Sequence, residues 1–317
     1  MIRKLILLTL LIACTVINNG FATANHPYVI VLKYATHPAL DELENSFLET
    51  LKKNQQDVVI ERFNANGDPA LAKQLAESAV NRHGVDLIVS LATPATQAVV
   101  KSPSLSQIRI LYAAVADPVG AGVVNDHTTG IQNAGPLIIK KTLDIIKEMY
   151  PNAKRIGTIY NPQEQNSLYV QRIIVNECKS RGLTIIQRVV TNPNQFQETV
   201  ESLKSKIDVL YCTNDNLVNK GVLTIASTAK ALKMPFIIGE LSAVSKGSLA
   251  GVGVEYSSMG QHLAALAKDI INNPNRKYLP QREGPPAPQF WLNTHTAEEI
   301  HYIVSPSLKQ KVNKFTN

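Results

Sequence analysis

The sequence predicts an α/β protein built on parallel sheets, in two similar halves facing one another across a cleft. Three observations carry this. From residue 28 onward, short β-branched runs alternate with amphipathic stretches of helical length, the pattern of parallel βαβ units. The order β-α-β-α-β-α-β occurs twice, before and after about residue 133, with a glycine-rich connector from Gly120-Ala121-Gly122 through Thr129-Gly130 near the middle. A further βα passage at 249–272 carries Gly247, Gly251 and Gly253, which permit a bend that returns the chain to the first half.

In chain order, the first half offers strands at 28–34, 57–63, 87–91 and 109–114, with helices at 39–53, 69–83 and 94–101 between them. The first helix is the clearest, because Leu40, Leu43, Phe47, Leu48 and Leu51 follow at steps of 3, 4, 1 and 3, one apolar face. A helix at 136–150 leads into the second half. Its strands are expected at 155–160, 184–190, 209–212 and 236–239, and its helices at 167–181, 194–205 and 216–232. The returning passage is a strand at 249–254 and a helix at 259–272. Residues 273–288 are rich in Pro and Gly and read as a surface loop, followed after Phe290 by a short terminal strand and helix. The division expected is a leader at 1–24, one lobe at 25–133 plus 256–285, and a second at 134–255 plus 286–317.

Composition narrows the class. With 317 residues, 18% charged and 44% hydrophobic, and a mean hydropathy of −0.04, the chain is neither a polytopic membrane protein nor a disordered or fibrous one. Formal charge is +7, and Arg3 and Lys4 of the leader account for two of it. The remainder is too mild to argue for nucleic acid, and no Arg/aromatic stripe or zinc-finger spacing accompanies it.

Residues 1–24 read as an export signal: Arg3 and Lys4, an apolar run from Leu5 to Ile17, then Ala22-Thr23-Ala24. Leu11-Ile12-Ala13-Cys14 also has the form of a lipoprotein box, so cleavage after Ala24 and lipidation of Cys14 both stand open. Either outcome places the folded part in the periplasm, outside a bacterial inner membrane. Cys178 and Cys212 remain in an oxidising setting, and they read as unpaired buried small hydrophobes rather than a disulfide. The seven histidines are scattered, and no metal or cofactor site is expected.

In open parallel sheets ligands bind beyond the carboxyl ends of the strands. Those positions are polar here: 35–41 with Thr36 and His37, 92–96 with Thr93 and Pro94, and 116–118 with Asp117. In the second half they are 161–167 with Asn161, Glu164, Asn166 and Ser167, 213–216 with Asp215 and Asn216, and 240–242 with Glu240. Hydroxyls and carboxylates ahead of helix starts expose backbone N–H groups suited to a carboxylate or phosphate. The acids Asp117, Glu164 and Asp215 exceed what capping needs and suit an ammonium group.

Catalytic motifs fail one at a time. There is no G-x-S-x-G elbow, no Walker-A loop and no H-E-x-x-H, and Gly120-x-Gly122 lacks a third glycine at the dinucleotide spacing. His37 before Pro38 reads as a packing or capping element. No enzyme is expected.

At these loops the chain closely resembles the bacterial ABC-transporter substrate-binding proteins of the tryptophan/tyrosine type. The resembling motifs are His37-Pro38-Ala39-Leu40-Asp41, Ala65-Asn66-Gly67-Asp68, Ala92-Thr93-Pro94-Ala95-Thr96-Gln97-Ala98, Ala114 through Ala121, Gly157 through Ser167, Asp215-Asn216, and Gly253-Val254-Glu255-Tyr256 with Gly260. The resemblance implies a type I periplasmic-binding-protein fold, with two Rossmann-like lobes closing on a small ligand, often an aromatic amino acid. By the same resemblance, Thr93 and the start of its helix would take the ligand carboxylate. Asp117 and Asp215 would take the ammonium from opposite lobes, Glu164, Asn166 and Ser167 would seal the far wall, and Tyr256 would stack on a ring. Two positions depart from the family pattern: Thr36, where Glu is common, and Glu255, where Asp is common. The implied partners are an ABC permease and its ATPase, with the membrane met only through the permease or a lipid on Cys14. Two other readings stay open: a ligand sensor feeding a membrane signalling protein, and an enzyme using the cleft carboxylates. A repressor is disfavoured by the leader and by the lack of a helix-turn-helix before the first strand.

Overall fold

A computed structural model describes residues 26–105, 107–133, 135–274, 282–283 and 287–317. The expected leader, including Cys14, lies outside them, as does most of the loop at 275–286.

The strands are β1 (Tyr28–Lys33), β2 (Val59–Asn64), β3 (Leu87–Leu91), β4 (Arg109–Val115), β5 (Thr128–Gln132), β6 (Arg155–Tyr160), β7 (Thr184–Val189), β8 (Val209–Cys212), β9 (Phe236–Ile238), β10 (Ala250–Gly253), β11 (Arg282–Glu283), β12 (Gln289–Asn293) and β13 (Lys314–Thr316). The helices are α1 (Pro38–Asn54), α2 (Pro69–Val80), α3 (Thr93–Val100), α4 (Gly135–Met149), α5 (Gln165–Ser180), α6 (Phe196–Glu201), α7 (Asn216–Lys220), α8 (Val222–Ala231), α9 (Tyr256–Asn272), α10 (Thr294–Glu299) and α11 (Pro306–Lys309). They form two sheets, one in the order β11-β5-β4-β3-β1-β2 and one in the order β13-β12-β10-β9-β8-β6-β7. Every pairing is parallel except β10 with β12. This is the α/β, two-lobed Rossmann-like architecture expected.

Parallel strands covered by helices on both faces read as continuous apolar runs. Accordingly β3 and β8 are buried throughout. The first lobe's core joins Val29–Leu32 and Leu87–Val89 to Leu40, Leu43 and Phe47 of α1 and to Met259 and Leu263 of α9. The α1/α9 contact is close: Ser46 Oγ donates to Ser257 O at 2.7 Å, and a Cβ on Gly260 would sit 2.5 Å from Leu43 O.

The structure departs from the sequence reading in four places. The glycine-rich connector contains strand β5, because Gly130 is not a flexible link: a Cβ there would lie 2.1 Å from Tyr112 O, so glycine lets β5 press against β4. The single helix expected at 216–232 is two, broken at Gly221, where the missing side chain makes room for the Phe196 ring. The helix α9 starts three residues before the expected 259, bringing Tyr256 into its first turn. Strands β11 and β13, two and three residues long, carry too little pattern to be read from sequence. Cys178 and Cys212 are free, buried thiols, and burial pushes them up to about 11 and about 12.

Candidate functional site

The carboxyl ends of both sheets flank a partly open cavity between the lobes, whose empty space of about 560 Å³ includes the solvent at its mouth. Strand order sets which residues meet there. From the first lobe come His37 after β1, Thr93 after β3, Ala114 and Ala116 at the end of β4, and Asn133 after β5. From the second come Asn166 of α5, Thr213, Asn214, Asn216 and Asn219 after β8, and Gly239 after β9. Ile138 and Ile139 of α4, Val170 of α5, Leu40 of α1 and Tyr256 of α9 complete the wall.

His37 is aimed by its own helix. It caps α1 by accepting at Nδ1 from Leu40 N (3.4 Å), which places the proton on Nε2, 3.2 Å from Asn216 Oδ1 across the cleft. Burial holds its pKa down to about 4, so the ring is neutral. The helix itself is pinned by Lys33, whose Nζ lies 2.6 Å from both Asp41 Oδ1 and Glu44 Oε2, with Arg62 Nε 2.8 Å from Glu44 Oε1.

Thr93 opens α3 after Ala92, which holds a φ of 81° that non-glycine residues rarely adopt. Such strain costs about 1–3 kcal/mol and concentrates at binding sites. Here it turns the N-terminus of α3 into the cavity. Thr93 Oγ1 accepts from Ala116 N at 3.4 Å and retains its own proton to donate.

The second wall is organised by two carboxylates. Asp215 Oδ2 accepts from Asn161 N (2.7 Å) and from Ser167 Oγ, and its Oδ1 accepts from Val218 N (2.9 Å), capping α7. Glu164 accepts from the Nδ2 groups of Asn161 (3.3 Å), Asn166 (3.2 Å) and Asn216. Burial, and then the charge of Asp215, push Glu164 up to about 7. Burial also raises Asp215, against its hydrogen bonds.

The structure thus brings Thr93, Asn166, Asn216 and Tyr256 of the expected residues to the cavity wall. Asp117 and Asp215, expected to take an ammonium group, and Glu240, expected as a ligand-binding loop residue, accept hydrogen bonds within the protein's own loops. Asp117 accepts from Gly120 N (3.0 Å), and Glu240 accepts from Ser242 N, Ser242 Oγ and Ala243 N. None of the three lines the cavity, nor do Asn161, Glu164 and Ser167, which stand behind its wall. Pro94 and Glu164 face a neighbouring groove, and Thr36 is exposed, bonded to Asn64 Nδ2 at 2.7 Å.

Sequence reasoning reads His37 as a packing or capping element, and it does cap α1, while Asn133, Asn214 and Asn219 are not singled out. A usable signal existed for one of these, since Asn216 and Asn219 stand at i and i+3, on one face of a helix. Among the described residues, no charged side chain lines the cavity. Amides dominate its polar lining instead, and among the described residues Oδ1 of Asn133, Asn166, Asn214 and Asn219 is buried without a hydrogen-bond partner. Unpaired buried acceptors cost about 1–3 kcal/mol each, so four in one cavity mark a place for donors from outside the chain.

The family model for ABC transporter substrate binding protein matches residues 28–314. The chain belongs to this family. It is 31% identical over 243 residues to a tyrosine-binding protein of Clostridioides difficile, spanning 74% of this chain and 70% of that one. Among solved structures, a conserved domain protein of Vibrio cholerae superposes with a TM-score of 0.85 at 25% identity, covering 92% of this chain and all of that one. An ABC domain from Streptococcus pneumonia in complex with L-Trp gives 0.81 at 24% identity, over 91% of this chain and all of that one. The ligand-free, open structure of a substrate-binding protein with adhesive properties from Clostridium difficile gives 0.67 at 26% identity, over 92% and 99%. Among the described residues, no helix is long and apolar enough to cross a membrane.

Proposed function

We propose that this substrate-binding protein captures an aromatic amino acid as the zwitterion, in the periplasm, and hands it to an ABC permease without altering it. One observation carries the reading: an interlobe cavity whose described lining residues are all uncharged, apolar along Ala114, Ala116, Ile138 and Ile139, with buried, unpaired amide oxygens among the residues that line it. An ammonium brings three N–H donors for those oxygens. The carboxylate lies against Thr93 and the free N–H groups at the start of α3, where the helix dipole favours an anion. Side chains bearing net charge are rejected, since nothing in the wall would pair with them. The names of the tyrosine-binding relative and the L-Trp complex support the same ligand class. Residues 1–24 supply the export signal, processed after Ala24 or lipidated at Cys14.

The test is a thermal-shift screen of the mature protein, washed in denaturant and refolded, against the twenty amino acids. A ligand that binds only the native state raises the melting temperature. Selective shifts with aromatic amino acids are expected, and a shift with lysine or glutamate but none of the aromatics would overturn the reading.

A further inference from the structure

Asn133 stands at the end of the cavity opposite His37. On the first lobe's wall His37, Thr93, Ala116 and Asn133 follow β1, β3, β4 and β5, which are neighbours in the sheet in that order. His37, Asn216 and Asn166 are joined at the β1 end by hydrogen bonds, His37 to Asn216 and both asparagines to Glu164, whereas Ala114 and Ala116, at the end of β4, lie between the β3 loop of Thr93 and the β5 loop of Asn133. A ligand with its carboxylate on Thr93 therefore sends its side chain toward Asn133. The two loops stand two strand spacings apart, roughly 10 Å, so a group that meets Asn133 belongs to the far end of the ligand from its carboxylate.

Asn133 is oriented for one task. It is only 6% exposed, its backbone N donates to Val115 O (2.9 Å), and its Nδ2 donates to Tyr256 Oη (3.3 Å). The Tyr256 hydroxyl keeps its proton, since burial and then nearby Glu240 raise its pKa. With the amide nitrogen committed, Oδ1 is left as an acceptor, and it has no partner.

We propose that Asn133, positioned by Tyr256, is a specificity residue that reads a hydrogen-bond donor at the tip of the ligand's side chain and so favours tyrosine or tryptophan over phenylalanine. This rests on the aromatic-amino-acid reading of the same cavity. A buried acceptor left unpaired penalises the analogue that lacks the donor, which discriminates far more strongly than an added hydrophobic contact does.

The experiment is calorimetric titration of the mature protein with L-tyrosine, L-tryptophan and L-phenylalanine, repeated on Asn133→Ala and Tyr256→Phe. The wild type is expected to bind tyrosine or tryptophan more than about tenfold tighter than phenylalanine, and Asn133→Ala to bring that ratio within about twofold, chiefly by weakening the donor-bearing ligand. Tyr256→Phe frees the Asn133 amide to rotate and lowers the ratio in the same direction. Because Tyr256→Phe changes one hydroxyl, it gives the answer even if Asn133→Ala does not fold. Phenylalanine binding as tightly as the other two to the wild type, or a ratio unmoved in the folded variants, overturns the role of Asn133 while leaving the aromatic ligand class intact. Failure of all three ligands to bind overturns both.

Discussion

His37 Nε2 lies 3.2 Å from Asn216 Oδ1, a neutral hydrogen bond joining α1 of the first lobe to α7 of the second. Asn216 in turn donates through Nδ2 to Glu164, so one chain of hydrogen-bonded groups runs from α1 across the cleft to the loop after β6. Closure of two lobes around a ligand is a shift between open and closed populations, and a bond made only in the closed form adds to that shift.

Replacing His37 by Ala removes this bond together with the α1 cap. Ligand affinity is expected to fall by about tenfold, the equivalent of ~1.4 kcal/mol. Titration calorimetry measures it, and unchanged affinity would show that the bond contributes nothing to closure.

The two titratable groups of that chain act in opposite directions with pH. Glu164 is pushed up to about 7 from an ordinary 4.5, so the native protein keeps a proton that the unfolded chain has lost. Its contribution to stability is complete below 4.5 and gone above about 7. His37 is held down to about 4 from 6.5, so its contribution is complete above 6.5 and lost as the pH falls toward 4. Relative to the parent, Glu164→Gln should therefore gain stability as the pH rises from about 5 to about 8. Urea midpoints across that range check it, and a constant difference between the two proteins would refute the assignment.

Asp215 holds three donors from three segments, so Asp215→Ala is expected to lower stability by about 3 kcal/mol in the absence of any ligand. Asp117→Ala removes one bond at a half-buried turn and should cost less than about 1 kcal/mol. Denaturant unfolding of the two ligand-free variants makes the comparison. An Asp215→Ala protein as stable as the parent would return that carboxylate to the ligand.

Gly260 tests the α1/α9 contact. Gly→Ala inside a helix ordinarily stabilises by about 1 kcal/mol. Here the new methyl would meet Leu43 O at 2.5 Å and Phe47 N at 2.8 Å, backbone that cannot step aside. A net loss of about 2 kcal/mol is expected, read from the midpoint of thermal unfolding. A rise in stability would mean that the two helices separate freely.

The sequence by itself determined the two-lobed α/β class, because parallel strands and amphipathic helices are local patterns of period 2 and 3.6 repeated along the chain. It also pointed to the loops after β1, β3, β4, β6, β8 and β9 as candidate site loops, since strand ends and helix starts are local too. Which side chain in each loop faces the cavity was decided only by tertiary structure. Asp215 reads as an ammonium ligand in one dimension, yet folding brings Asn161 N, Ser167 Oγ and Val218 N to its oxygens and leaves nothing to offer outward. Asn133, in a stretch that reads as a connector, reaches the cavity because Gly130 lets β5 lie against Tyr112 of β4. Buried carboxylates demand donors, and the nearest are supplied by the chain itself, so the charged residues close the loops and the neutral amides are left to line the cavity.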